Sequence, residues 1–336
     1  MAHLMFGGFL CALLAGPVLA TNSRIEDVTF DSRGTTLSGS IAWPVGKPAI
    51  AAVVFIHGSG KQTRNLDLSR RFAESGIAAL VYDKRGVGKS GGVYEGNQSV
   101  TGMNIELLAD DAVAALNALA GNPALDGAPV GFAGISQAGW IAPLAATKTR
   151  HARFLLLWSA PVCKVSEEDI YSKFTTDEDG PDRPPYATAL AARTEPYRWP
   201  DFLGRDTDPA EDLARLTIPG FWIFGAHDGS IPVDLSLRNL RTLRAAGHRF
   251  DHVVFDEQGH NNMAATFDAA IQWITRELGL ENSGEEQVSG SRASHSDAVA
   301  PSPLLTRPTR PTGQPHCSER EHRCQGQHRQ RSQRRH

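Results

Sequence analysis

Three side chains in this sequence have the types needed for a nucleophile, a base and an orienting acid. Ser136 sits in Gly134-Ile135-Ser136-Gln137-Ala138-Gly139, Asp228 in Ala226-His227-Asp228-Gly229, and His260 in Glu257-Gln258-Gly259-His260. A serine hydroxyl is a weak nucleophile until a base takes its proton, and a carboxylate that orients the base completes the set. The chemistry would be acyl transfer through a covalent serine intermediate. That reaction also needs hydrogen-bond donors for the oxyanion of the tetrahedral intermediate. The glycine-rich turn in Phe55-Ile56-His57-Gly58-Ser59-Gly60 can supply the backbone N–H groups of Ser59 and Gly60, opposite that of Gln137. His57 then organises the turn, and no metal or cofactor is required.

A second stretch competes for attention. Asp83-Lys84-Arg85-Gly86-Val87-Gly88-Lys89-Ser90-Gly91-Gly92 fits a dinucleotide fingerprint, the end of a phosphate-binding loop, and a nucleophile elbow centred on Ser90. Each template needs a strand that stops and a helix that begins at once. Ser90 lies eight residues beyond the apolar run that ends at Tyr82, and Gly91-Gly92-Val93-Tyr94 follows where a helix should start. Ser136, by contrast, comes directly after Pro129-Val130-Gly131-Phe132-Ala133-Gly134-Ile135 and directly before a helical segment, although Ala138 stands where the elbow pattern has its last glycine. Ser136 is therefore the expected nucleophile. Asp83 and Arg85 are expected to brace turns near the site through charge-assisted hydrogen bonds.

The elements that must position these residues alternate along the chain. An antiparallel opening (residues 25–30 and 36–43) precedes short continuous apolar runs at 51–56, 77–82, 129–135, 154–159, 221–225 and 251–256. Such runs predict strands buried on both faces of a parallel sheet. Helical segments fall between them; Leu108, Ala112, Ala115, Leu116 and Leu119, for example, recur on one helical face. The expected fold is α/β, a doubly wound and mostly parallel sheet. Residues 161–218 carry no strand signal and are expected to form a small lid between core strands.

The 336 residues are 41% apolar and 21% charged, enough for one large core, and a formal net charge of −3 points to no nucleic-acid partner. Residues 4–19 are apolar and end at Val18-Leu19-Ala20, which predicts a signal peptide spanning 1–20, an exported protein, and no stable membrane span in the mature chain. The hydrolytic domain is expected over 21–280. Residues 281–336 lack Phe, Trp and Tyr, and 301–336 hold eight Arg against two Glu, which predicts a disordered basic tail. Cys317, Cys324 and the neighbouring histidines fit no standard zinc spacing, so no metal is expected there.

The ordered motifs HGSG, DKRGVGKS, GISQAGW, GAHD and QGH resemble the α/β-hydrolase superfamily, and specifically its exported carboxylesterase and acyl-peptidase-like members. The resemblance spans residues 25–280 and departs from the pattern at Ala138 and in the tail. It implies a serine esterase acting on a small-molecule carboxylic ester through Ser136, His260 and Asp228. A peptidase, amidase or thioesterase on the same three residues is the alternative, with the acidic runs Glu167-Glu168-Asp169 and Asp177-Glu178-Asp179 as a conceivable site for a substrate amine. A catalytically silent binding protein of the same fold is the reading from another class.

Overall fold

A computed structural model of the chain describes residues 23–96 and 100–279, all within one unit; the expected signal segment and the whole of the expected tail lie outside the described residues. The chain enters through a hairpin, β1 (Ser23–Ser32) and β2 (Thr35–Pro44). Arg33 and Gly34 both have positive φ in the connecting turn, the backbone twist that a two-residue hairpin demands. Then come β3 (Ala51–Ile56), α1 (Leu66–Glu74), β4 (Ile77–Tyr82), α2 (Gly102–Ala120), β5 (Val130–Ile135), α3 (Ala138–Thr147) and β6 (Ala152–Trp158). Three short helices follow, α4 (Val165–Thr175), α5 (Tyr186–Ala191) and α6 (Pro209–Leu213), and the chain closes with β7 (Gly220–Gly225), α7 (Val233–Ala245), β8 (Phe250–Phe255) and α8 (Met263–Glu277).

The eight strands form one sheet in the order β1-β2-β4-β3-β5-β6-β7-β8. β1 and β2 pair antiparallel, β2 joins β4 antiparallel, and every later pairing is parallel. This is the expected doubly wound sheet, and all eight expected strands are present.

Side chains alternate across the strands and so divide between two cores. Val54, Ile56, Leu80, Phe132, Leu155 and Leu157 pack with α2 and α3 on one face. Val53, Val81, Ala133, Leu156 and Trp158 pack with Phe72 of α1 and Phe267 and Trp273 of α8 on the other. Because both faces are covered, the strand sequences are apolar throughout rather than alternating. Each fully buried Leu, Ile, Val or Phe contributes roughly 1.5–3 kcal/mol to holding the layers together. The β6–β7 insertion has a small core of its own, in which Ile170 and Tyr171 of α4 meet Tyr186 and Ala189 of α5 and Leu235 of α7.

Parallel strands all end on the same edge, so the loops after β3, β5, β7 and β8 are brought together there. That edge is where open sheets of this kind carry their sites.

Candidate active site

Ser136 follows the last residue of β5, and α3 starts two residues later. Its φ is +56°, a left-handed conformation unusual for a residue with a side chain. Local bonds hold it: the Ser136 N–H donates to Trp158 O at 3.0 Å, and Ser136 O accepts from the Gly139 N–H at 2.8 Å. Glycines make this junction possible. A Cβ on Gly134 would lie 2.5 Å from Ala138 Cβ and 2.9 Å from Ile56 O, and one on Gly139 would lie 2.6 Å from Pro161 O. Ala138 is tolerated because residue 134, opposite it, has no side chain.

Asp228 lies beyond β7 and is fully buried. Its Oδ1 accepts N–H bonds from Ser230 at 2.9 Å and Ile231 at 3.0 Å, so the carboxylate is fixed before it meets the base. His260, beyond β8, presents Nδ1 to Asp228 Oδ2 at 2.9 Å and to Oδ1 at 3.0 Å. Burial works against a charged imidazole, but the hydrogen bond and charge of Asp228, with Asp179 and Asp177 adding to it, outweigh burial and raise the His260 pKa above its ordinary value. With Nδ1 held by the acid, Nε2 is the nitrogen left to exchange a proton with a nucleophile. Neighbouring ionisable groups do not take these places: Asp256 and Glu257, just after the end of β8, are exposed, and burial pushes His57 down to about 4 while its Nε2 bonds Tyr82 O.

Ser136 and His260 line one open cavity of about 870 Å³. Gly58 and Ser59 form part of its wall, and a Cβ on Gly58 would stand 3.3 Å from Ser136 Cβ, so the turn after β3 runs directly past the serine. Gly60 has φ +85° and shapes this turn. Neither Gly60 nor Gln137 is itself among the residues lining the cavity. Of the three expected oxyanion donors, the structure therefore places Ser59 on the cavity wall beside Ser136, and Gln137 next to the serine in sequence at the start of α3.

Several residues that support this edge were not singled out in the sequence. Lys84 is buried and its Nζ donates to Gly58 O at 2.9 Å and to Gln137 Oε1 at 2.7 Å, tying the turn after β3 to the residue after Ser136. Asn262 donates to Ser159 Oγ and to Gly259 O, both at 3.0 Å, anchoring the loop that carries His260. Arg64 grips Asp83 through Nε and Nη2, at 3.2 and 2.9 Å. Burial opposes ionisation of Asp83, but the Arg64 bonds and the N–H of Lys89 dominate and bring it down to about 2. Arg85 instead pairs with Asp111, so the two expected braces work through separate partners. Ser90 is buried, its Oγ donating to Asp83 O at 2.6 Å and accepting from the Ser38 N–H at 3.0 Å. A hydroxyl spent on the backbone in this way is a structural pin.

Comparison with known proteins bears on the fold that carries this site. Residues 47–194 match the family described as "Serine aminopeptidase, S33". Among curated proteins, the polyketide transferase claH of Penicillium crustosum is 34% identical over 152 residues, a match covering 44% of this chain and 47% of that protein, so the chain matches about half the length of this relative. Among solved structures, an esterase of Pyrococcus furiosus superposes with a TM-score of 0.55 at 16% identity, covering 76% of this chain and 89% of its own. An acylaminoacyl peptidase of Pyrococcus horikoshii gives 0.58 at 16% identity, covering 80% of this chain and 44% of its own. At such identities the structural likeness speaks to the fold.

Proposed function

From the premise that the chain is an α/β-hydrolase by fold, we propose that it is a serine hydrolase cleaving carboxylic esters through Ser136, His260 and Asp228. One observation carries the reading: a strained serine at a strand–helix junction shares a cavity with a histidine whose other nitrogen is held by a fully buried aspartate. His260 Nε2 takes the Ser136 Oγ proton as Oγ attacks the ester carbonyl, and the carbonyl π electrons move onto oxygen. Asp228 stabilises the imidazolium without accepting its proton. Backbone N–H groups of Ser59, Gly60 and Gln137 receive the oxyanion. Collapse breaks the bond to the alkoxide, which leaves with the proton from His260. Water, deprotonated by His260, then attacks the acyl-enzyme and releases the acid, restoring Ser136.

An amide substrate is the second reading, favoured by the family description and by the peptidase among the structural neighbours. A free-amine peptide would need a carboxylate in the cavity to hold its terminus. Asp67 is the acidic residue on the cavity wall, and it is paired with Arg70 at 2.9 Å. Beside its polar residues the cavity wall carries Phe55, Leu66, Ile135 and Met263, apolar surface that suits an acyl chain. Esters are therefore the preferred class.

A fluorophosphonate probe tests the assignment directly. Wild type should label stoichiometrically and Ser136→Ala not at all; undiminished labelling of Ser136→Ala, or none of folded wild type, would sink it. Hydrolysis of p-nitrophenyl esters should exceed that of aminoacyl anilides, and the reverse order would make the enzyme an amidase.

A further inference from the structure

The loop after α4 is folded against both halves of the acid–base pair. Thr176 and Asp177 take left-handed conformations, φ +58° and +57°, which turn the chain back over the loops following β7 and β8. Asp179 Oδ1 accepts the Gly229 N–H at 3.0 Å, and Asp179 Oδ2 accepts the His260 N–H at 2.9 Å. Two further bonds hold the same contact: the Gly180 N–H donates to His227 O at 2.8 Å, and Thr175 Oγ1 donates to Gly229 O. The fit is close. A Cβ on Gly229 would lie 1.9 Å from Glu178 O, and one on Gly259 would lie 2.1 Å from Asp179 Oδ2. Gly229 follows Asp228 and Gly259 precedes His260, so each half of the pair has a glycine at the point where this loop lands.

We propose that Asp179 is a positioning residue for the Asp228–His260 pair, its one carboxylate bridging the main chain beside the acid to the main chain of the base. The inference rests on the triad proposed above. The loops after β7 and β8 already meet where the His227 N–H donates to Gln258 O at 2.9 Å, and the β6–β7 insertion adds a second tie that reaches the residues flanking the acid and the base themselves. Both oxygens of Asp179 are engaged by backbone N–H groups, which fixes the carboxylate against the two loops.

The charge acts alongside the geometry. Asp228 from the β7 loop and Asp177 and Asp179 from the insertion all favour the imidazolium of His260. Glu168 of α4 also faces Asp228, but burial, with Asp177, Asp169 and Asp228 adding, pushes it up to about 8, so it is neutral at pH 7. Arg183, which bonds Glu178 O, is the cation on this side. A base must be unprotonated to act. Removing the Asp179 charge lowers the His260 pKa, and the acid limb of the kcat/KM profile then moves to lower pH.

The test is a pH–rate profile of Asp179→Asn on p-nitrophenyl acetate, normalised to sites titrated by fluorophosphonate. Expected are an acid limb displaced to lower pH and a kcat per labelled site about tenfold below wild type, since catalytic groups are misplaced rather than lost. A residue that only stabilises the fold would lower the number of labelled sites and leave the limb where it was. Gly259→Ala provides a second route, pushing the carboxylate aside while keeping its charge, and should lower kcat per site with Asp179 still present. Folded Asp179→Asn with a wild-type limb and kcat, or Gly259→Ala with a wild-type kcat, would overturn the proposal. Failure of wild type to label at Ser136 would overturn the triad itself, a different result.

Discussion

Lys84 is the residue that bears most directly on the proposed oxyanion site. Its ammonium is buried and joins Gly58 O to Gln137 Oε1, partners 26 and 53 residues away in the chain. Neither partner is near it in sequence, so nothing in Asp83-Lys84-Arg85 announced this contact, whereas the proposed triad of Ser136, Asp228 and His260 could be read from the sequence because each stands just past the end of an apolar run. Replacing Lys84 with Met leaves a buried acceptor on Gln137 and a half-buried one on Gly58 without their shared donor and frees the turn after β3 to drift from Ser136. We expect kcat to fall about a hundredfold with KM nearly unchanged, because the loss falls on the charge that develops in the transition state. Titration gives an independent readout. Burial pushes Lys84 down to about 8, so the cation is present at neutral pH and is lost as pH rises through that value. Wild-type kcat/KM should therefore decline above about pH 8, a limb that Lys84→Met, uniformly slow, should lack. Steady-state kinetics from pH 5 to 10 would show both effects, and a wild-type rate for Lys84→Met would remove Lys84 from the mechanism.

At the scale of elements, the β5–α3 junction explains why an imperfect sequence pattern serves. What the turn requires is that residues 134 and 138 not both carry bulk, and Gly134 meets that need alone, since its absent Cβ would sit 2.5 Å from Ala138 Cβ. Gly134→Ala must push strand and helix apart against Ile56 O as well, a backbone atom, and should cost about 1–3 kcal/mol and slow fluorophosphonate labelling. Ala138→Gly relieves no strain and adds chain entropy, so its cost should be nearer 0.5–1 kcal/mol. Denaturant unfolding of the two variants checks the order, and an equal or larger loss from Ala138→Gly would contradict this account of the elbow. The same element logic explains what the sequence could and could not disclose. Strands buried on both faces leave unbroken apolar runs, and the long α2 leaves a periodic stripe, so both are readable. α6 is short and adds Leu213 to the main core; α4 and α5 are short too, and they bury Ile170, Tyr171, Tyr186 and Ala189 against one another and against Leu235 of α7. Their helical character depends on that mutual packing, and the bridge from Asp179 to the two loops exists only once they are in place.

Across the whole molecule, the antiparallel edge is held to the parallel core by the β2–β4 pairing and by Phe30, Leu37, Ile41 and Trp43, and a buried ion pair adds to this. Arg85, from the loop after β4, bonds Asp111 of α2 through Nε at 2.9 Å and through Nη2, and Nη2 also reaches Ser32 O at the end of β1 at 3.0 Å. Ser32 Oγ donates to the same carboxylate at 2.6 Å. Asp111 is fully inaccessible and Arg85 is 6% exposed, so solvent cannot replace a missing partner. Breaking such a pair from one side leaves a buried charge without compensation and typically costs about 3–5 kcal/mol. For a domain of this size each kcal/mol is worth roughly 2–4 °C in Tm, so Arg85→Met should melt about 10 °C lower. Replacing both partners by apolar residues removes the desolvation penalty along with the attraction, so Arg85→Met combined with Asp111→Leu should recover much of that loss. Calorimetry on wild type, the single variant and the double variant tests this, with fluorophosphonate labelling read in parallel. If the pair acts only as a clamp between sheet edge and α2, labelling at 25 °C should return in the double variant together with the melting temperature. If Tm returns and labelling does not, the guanidinium also shapes the turns that lead to Lys84 and Ser136.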